Sequence, residues 1–271
     1  MSLSKIVGKL LFFYLSCSST FAIPVSEVLR DVEDSENITY SIMTRGDGSS
    51  KSSPVDASFD ISGWENIAEE NCYIMLCLMD GNRVFQRGPT AGASKSQRTK
   101  SGANLEPFHA DQLSSRHTAQ ISGSTISAEE FPWASTQNGG ENAYLCPATE
   151  AEQNAQKTGI SAGFNVKGGP GYDQWFRVSF HGGTQGKFCT ALFKNPPDKS
   201  VCGNDEKTTI FGVASVILAN FVYQIVRNQG QPYFFRHASG SHKGSKRTLE
   251  VDEMVYEDLV VRHPHAALAQ Q

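Results

Sequence analysis

The strongest constraint on this chain is an export-type N-terminus followed by cysteines that must then persist in an oxidising compartment. Met1 to Lys9 carries two lysines, Leu10 to Leu15 is an apolar run, and in Ser16 to Ala22 the residues Thr20 and Ala22 supply small side chains. A basic stretch, a short apolar stretch and a small residue at the cut are what a secretory signal peptide needs. Residues 1–22 are therefore expected to be a signal peptide cleaved after Ala22, and the mature protein to be secreted and extracellular. A membrane anchor is disfavoured, since crossing a bilayer takes ~20 apolar residues. Cys17 leaves with this segment, so Cys72, Cys77, Cys146, Cys189 and Cys202 remain, an odd number for an oxidising route. Cys189 with Cys202 would close a short loop, and Cys72 or Cys77 could pair with Cys146, leaving one thiol over. Connectivity stays open at this level. The cysteines have no Cys-x-x-Cys pair and no accompanying His pair at ligand spacing, which argues against structural zinc.

The mature chain of about 249 residues suits one substantial domain plus extensions. Removing Lys5 and Lys9 leaves 22 basic against 28 acidic side chains, a balance of about −6. That sign disfavours a protein that holds nucleic acid statically. It is compatible with one that cuts nucleic acid, provided a local basic strip and a bound cation offset phosphate repulsion. Such a strip exists: Arg83, Arg87, Lys95, Arg98, Lys100 and Arg116 run with only Glu106 and Asp111 as acids between the first and last. Three short signals accompany these features. Asn37-Ile38-Thr39 is a glycosylation sequon on a eukaryotic secretory route, Lys246-Arg247 resembles a dibasic cleavage site, and Arg45-Gly46-Asp47 is an integrin-type tripeptide weighed as chance.

Along the chain, residues 23–65 read as a polar N-terminal segment, with Gly46 to Pro54 as linker. Cys72 to Met79 reads as a β-like apolar run ended by the turn pair Asp80-Gly81. Residues 86–118 read as loop. Ala151 to Lys157 favours a short helix, and Trp175 to Phe180 a strand. Ile210 to Val226 is nearly continuous in apolar residues, and residues 201–236 are expected to complete the core as a buried helix or two strands; membrane contact of 210–226 is disfavoured because Gly212, Asn220 and Gln224 interrupt it. Residues 237–271 read as a flexible tail.

The chemistry concentrates in Glu129-Glu130-Phe131-Pro132-Trp133-Ala134-Ser135-Thr136, then Gly139-Gly140, Ala143, Cys146-Pro147 and Glu150 to Gln156. Neighbours on a strand point to opposite faces, so the two glutamates are not expected to share one site by symmetry. Pro132 removes a backbone donor just after them and holds an irregular turn. This stretch resembles the NucA/NucB family of secreted deoxyribonucleases, whose signature runs Asp-Glu-aromatic-Pro-aromatic-Ala-Ser-Thr and continues through Gly-Gly to an acidic-Asn-x-x-Gln element. Glu129 stands where the family has Asp, Ala128 where eukaryotic members often have Cys, and Gln153 or Asn154 where the family has Asn. The resemblance covers about residues 70–182, ending in Gly163-Phe164 and Trp175 to Val178.

The resemblance implies an α+β fold, a small antiparallel sheet with a ββα-metal-like helix flanked by loop-rich extensions, with residues 66–200 as the nuclease domain. It implies sequence-nonspecific, metal-dependent cleavage of DNA through Mg²⁺ or Mn²⁺. Glu129 would be general base with Glu130 positioning it, while Glu152 with Gln153 or Asn154 would hold the metal. Arg83, Arg87 and Arg116 would meet phosphates. Trp133 could stack on a base, although an aromatic after proline is more often core. No stable protein partner is expected. The residues leave two rival readings. One is a catalytically weak or inactive interaction or toxin-like protein on a nuclease scaffold. The other is an α/β-hydrolase elbow at Gly159-Ile160-Ser161-Ala162-Gly163, with Asp173 and His181 or His237 downstream, disfavoured because no apolar strand precedes it.

Overall fold

A computed structural model describes residues 46–203, 205–226 and 234–238. The signal peptide, the sequon, Arg45, Lys246-Arg247 and the tail beyond residue 238 lie outside the described residues.

Strand β1 (Val55–Asp60) alternates strictly: Val55, Ala57 and Phe59 turn inward and the residues between them face solvent. It lies inside the stretch expected to be a polar N-terminal segment, because three apolar residues alternating with polar ones leave little trace in composition. Helix α1 (Glu65–Tyr73) continues directly into a wider π-type turn over Ile74–Leu78. The run Cys72 to Met79 is therefore helical rather than β, a correction with a physical cause. Every residue from Cys72 to Cys77 is buried, and periodicity is visible only where one face of an element meets water.

Strand β2 (Val84–Gln86) precedes helices α2 (Ala93–Ser101) and α3 (Leu113–Arg116), which replace the loop expected over 86–118. Helix α2 shows almost no apolar period, with Ser101 its one buried residue. Arg98 and Lys100 sit in its last turn, where cations favour the carbonyl end, and Gly102 leaves it at φ +81°. Strands β3 (Ser127–Phe131) and β4 (Tyr144–Ala148) then lead straight into helix α4 (Glu150–Asn165), the expected ββα succession. Thr149 caps α4 by accepting a hydrogen bond from the Glu152 N–H, and the helix runs well past the short one predicted. Strand β5 (Trp175–His181) falls where expected, and helix α5 (Lys187–Leu192) comes after it. Strands β6 (Lys207–Ile210), β7 (Val213–Ile217), β8 (Tyr223–Val226) and β9 (Phe234–His237) complete the order.

Three sheets result, so the α+β class holds. β1 pairs in parallel with β5, which pairs antiparallel with β2; β3-β4-β8-β9 is antiparallel; β6 and β7 form a ribbon. The apolar stretch 210–226 is thus strands and turn, contributing buried Ile210, Val216, Leu218, Val222, Tyr223 and Val226. Among the described residues no helix is long and apolar enough to cross a membrane. Between the first sheet and α4 sits an aromatic core in which Phe59 meets Trp133 at 4.9 Å and Phe164 at 5.4 Å between ring centres, edge to face. Gly159 and Gly163 of α4 make that contact possible. A Cβ at Gly163 would stand 2.4 Å from the Phe59 ring, and one at Gly159 2.8 Å from the Asp60 carbonyl.

The disulfides differ from both expected pairings. Cys72 joins Cys189 and Cys77 joins Cys202, leaving Cys146 as a buried free thiol. Once Cys72–Cys77 is helical, both cysteines face α5 and the segment after it, whereas Cys146 lies on β4 opposite Glu129. The same junction is sealed by Glu69 of α1, whose carboxylate accepts from the backbone N–H groups of Phe188 at 2.7 Å and Cys189 at 3.1 Å.

Candidate active site beside strand β3

Glu129 and Glu130 are consecutive on β3 and so leave it on opposite faces. Glu129 turns toward α4, where its oxygens accept from the Gln156 side-chain amide at 2.6 Å and from that of Gln153 at 2.5 Å. Glu130 turns toward α2, into the field of Arg98. The expectation that the pair would not share a site is corrected by topology. β3 is the end strand of its sheet, so both faces open along one edge onto a single cleft of about 880 Å³. Both glutamates line this cleft, yet they are only 2% and 3% exposed.

Burial governs their charge. It pushes Glu129 up to about 7, against the pull of Gln156, Asn71 and Gln153. The Asn71 amide makes no hydrogen bond of good geometry with it, whereas both glutamine amides do. Burial likewise pushes Glu130 up to about 7, opposed by the Arg98 charge and the nearby Ser101 hydroxyl and reinforced by Glu129. Ser101 hydrogen-bonds the Arg98 carbonyl, and both Glu130 oxygens are left without a hydrogen-bond partner. Beneath Glu129, Glu70 is wholly buried with both oxygens unpartnered, and burial together with the charges of Glu129 and Glu152 raises it far above the ordinary carboxylate range. Two carboxylates that change charge near neutrality at the wall of a cleft can exchange protons with a bound reactant.

The predicted basic residues divide. Arg87 and Arg98 line the cleft, joined by Lys157 from α4, which sequence reasoning did not single out. Arg83 lies elsewhere, half-buried over the Phe193 ring at 5.2 Å, and Arg116 at the end of α3 is not part of the cleft lining. Trp133 is 4% exposed and packs edge to face on Phe59 and Phe131, a core residue whose rim only borders the cleft. Gln156, which closes the acidic-Asn-x-x-Gln element, was given no role, although its i, i+3 spacing from Gln153 places both on one helix face.

The residues predicted to hold a metal also divide. Gln153 and Asn154 line the cleft. Glu152, which would be their carboxylate, is turned away from it. It accepts from the backbone N–H groups of Asn66 and Ile67, each at 3.1 Å, and from the Asn66 side chain, so it closes the N-terminus of α1. Thr149 and Glu152 have capping-box spacing, but the glutamate caps a different helix. Among the described residues no three His, Cys, Asp or Glu side chains gather at metal-holding spacing. A hydrated Mg²⁺ or Mn²⁺ needs fewer: one or two carboxylates with neutral oxygens and water. The unpartnered Glu130 carboxylate and the two amides fit that demand.

The hydrolase elbow is excluded by its setting. Gly159 to Gly163 lies inside α4 rather than at a strand-to-helix turn, and His181 pairs with Ser58 at 2.8 Å, not with Ser161. Comparison with known families bears on the cleft directly. Residues 71–174 match the family model described as Deoxyribonuclease NucA/NucB, a span that includes Arg87, both cleft glutamates, Gln153 and Gln156. Residues 71–174 are therefore similar to a NucA/NucB-type deoxyribonuclease domain. A search of curated proteins gives no match.

Proposed function

We propose, from that domain and the cleft within it, that the protein is a secreted, metal-dependent endonuclease hydrolysing DNA phosphodiesters without reading sequence. The observation that carries the reading is the adjacent pair of buried carboxylates, both held near pKa 7, lining a cleft with Arg87, Arg98 and Lys157. Arginine and lysine contacts to phosphate fix a strand in place while leaving its bases unread. Glu129, oriented by Gln153 and Gln156, takes the proton from the attacking water; a base with a pKa near the working pH combines availability with basicity. Gln153 donates through its Nε2, which leaves its carbonyl oxygen to join Asn154 and Glu130 in holding a divalent ion. When bound, such an ion would offset charge building on the phosphoryl and leaving oxygens. Phe164 and Trp133 wall the cleft with apolar surface, which strengthens every charge interaction inside it. Export is supported by the segment ending at Ala22 and by two disulfides, which persist in an oxidising setting.

One observation favours the rival reading of a catalytically weak or inactive scaffold: Glu152, the carboxylate predicted to hold the ion, is engaged at α1. A supercoiled-plasmid nicking assay decides between them. Nicking with Mg²⁺ or Mn²⁺ that EDTA abolishes is the expected result; no nicking with any divalent ion overturns the enzyme reading.

A further inference from the structure

Trp133 is the aromatic that the sequence offers as a base-stacking residue, and the structure buries it. A different ring stands in its place. Tyr172 lines the same cleft and is 49% exposed, whereas Trp133 and Phe164 are 4% and 6% exposed. Its position is fixed from several sides. The Arg87 guanidinium carbon lies 4.3 Å from the Tyr172 ring centre and 4.6 Å from that of Phe164, so the cation is sandwiched between two aromatics. Arg87 also donates through Nη1 to the Pro170 carbonyl at 2.7 Å, on the same short loop. The loop itself is tied down. The Gly171 N–H donates to Gln174 Oε1, and Asp173, at φ +62°, accepts from Gln137 on its carboxylate and from Gln86 on its carbonyl.

A half-exposed aromatic on a rigid pedestal beside a phosphate-binding cation costs little ordering entropy when a ligand arrives. Its π-face suits any nucleobase, because stacking does not depend on base identity. A base inside duplex DNA already has both faces covered by its neighbours; a base in a single strand does not. We infer that Tyr172 is a nucleobase-stacking residue which, with Arg87 on the adjacent phosphate, makes the cleft prefer single-stranded DNA over duplex. The inference rests on the nuclease reading of the cleft and names its substrate form. Tyr172 acts on binding and is not a catalytic residue.

The test is binding in EDTA, where no metal-dependent cleavage occurs, measured by fluorescence anisotropy at fixed low salt. The probes are labelled 12-mers: a mixed-sequence single strand, its duplex, and an abasic strand with the same number of phosphates. The native protein is expected to bind the single strand tightest. Tyr172→Ala is expected to weaken that binding by roughly tenfold while leaving duplex and abasic affinities within about twofold. Tyr172→Trp, which keeps a ring in place, is expected to retain the preference, and unchanged melting of both variants shows that the fold is intact. Equal affinities for the three probes in the native protein, an effect of Tyr172→Ala on all three alike, or no binding to any of them each overturns the inference. Plasmid nicking by the same preparation reports separately on the enzyme reading, so either can fail alone.

Discussion

Two places in this molecule hold buried or half-buried glutamates, and they treat them in opposite ways. At the junction of α1 with α4 and α5, Glu69 and Glu152 are each met by two backbone N–H groups at a helix start. Burial pushes both upward in pKa, and those donors pull them back. At the cleft, Glu130 has no hydrogen-bond partner and Glu129 has only side-chain amides, and both sit near pKa 7. A buried carboxylate answered by fixed backbone donors acts as a cap; one left short of donors remains available to a reactant. The same residue type thus holds the fold at one site and serves chemistry at the other.

The sharpest way to break this contrast is to neutralise each kind in turn. Glu129→Gln is expected to lower the nicking rate by about a hundredfold or more with no loss of melting temperature. Undiminished nicking would remove Glu129 from the chemistry. Next in size is Glu152→Ala, which strips the cap from α1. It is expected to cost about 1–3 kcal/mol in denaturant unfolding while nicking by the folded fraction changes by less than about threefold. Lost cleavage at unchanged stability would instead return Glu152 to the metal.

The gentlest probe is pH. Cleavage needs Glu129 deprotonated, so its rate is expected to rise about tenfold per pH unit below 7 and level off above it. Stability should run the other way. The folded pKa values of Glu129 and Glu130 lie above those of the unfolded chain, so the native state binds the extra protons. Their contribution is complete below about pH 4.5 and is lost as pH rises through about 7. Melting curves from pH 4 to 8 check the sign, and a midpoint that rises over that range would contradict it.

The sequence made the cleft's chemistry legible but not its walls. The Glu129 to Thr136 stretch and Gln153 were readable because the pattern is local and contiguous. Glu152's engagement was not, since a cap bond to Asn66 and Ile67 spans more than eighty residues. Helicity in α1 was hidden because the run is buried on every side, and in α2 because it is almost entirely polar; neither offers a 3.6-residue alternation. Tyr172 was hidden by ordinariness: a tyrosine in a Gly/Pro loop becomes informative only when Arg87 is found stacked against it.

Both sulfur bridges start within the stretch matched to the family and end beyond it, at Cys189 and Cys202. β1 and β5, which flank one another in the first sheet, lie outside that stretch as well. Ending the chain at residue 174 would strand two thiols, Cys72 and Cys77, and leave β2 without its neighbour. The matched portion is therefore not expected to fold alone, and a version that keeps both bridges and the first sheet runs from before Val55 to beyond Cys202.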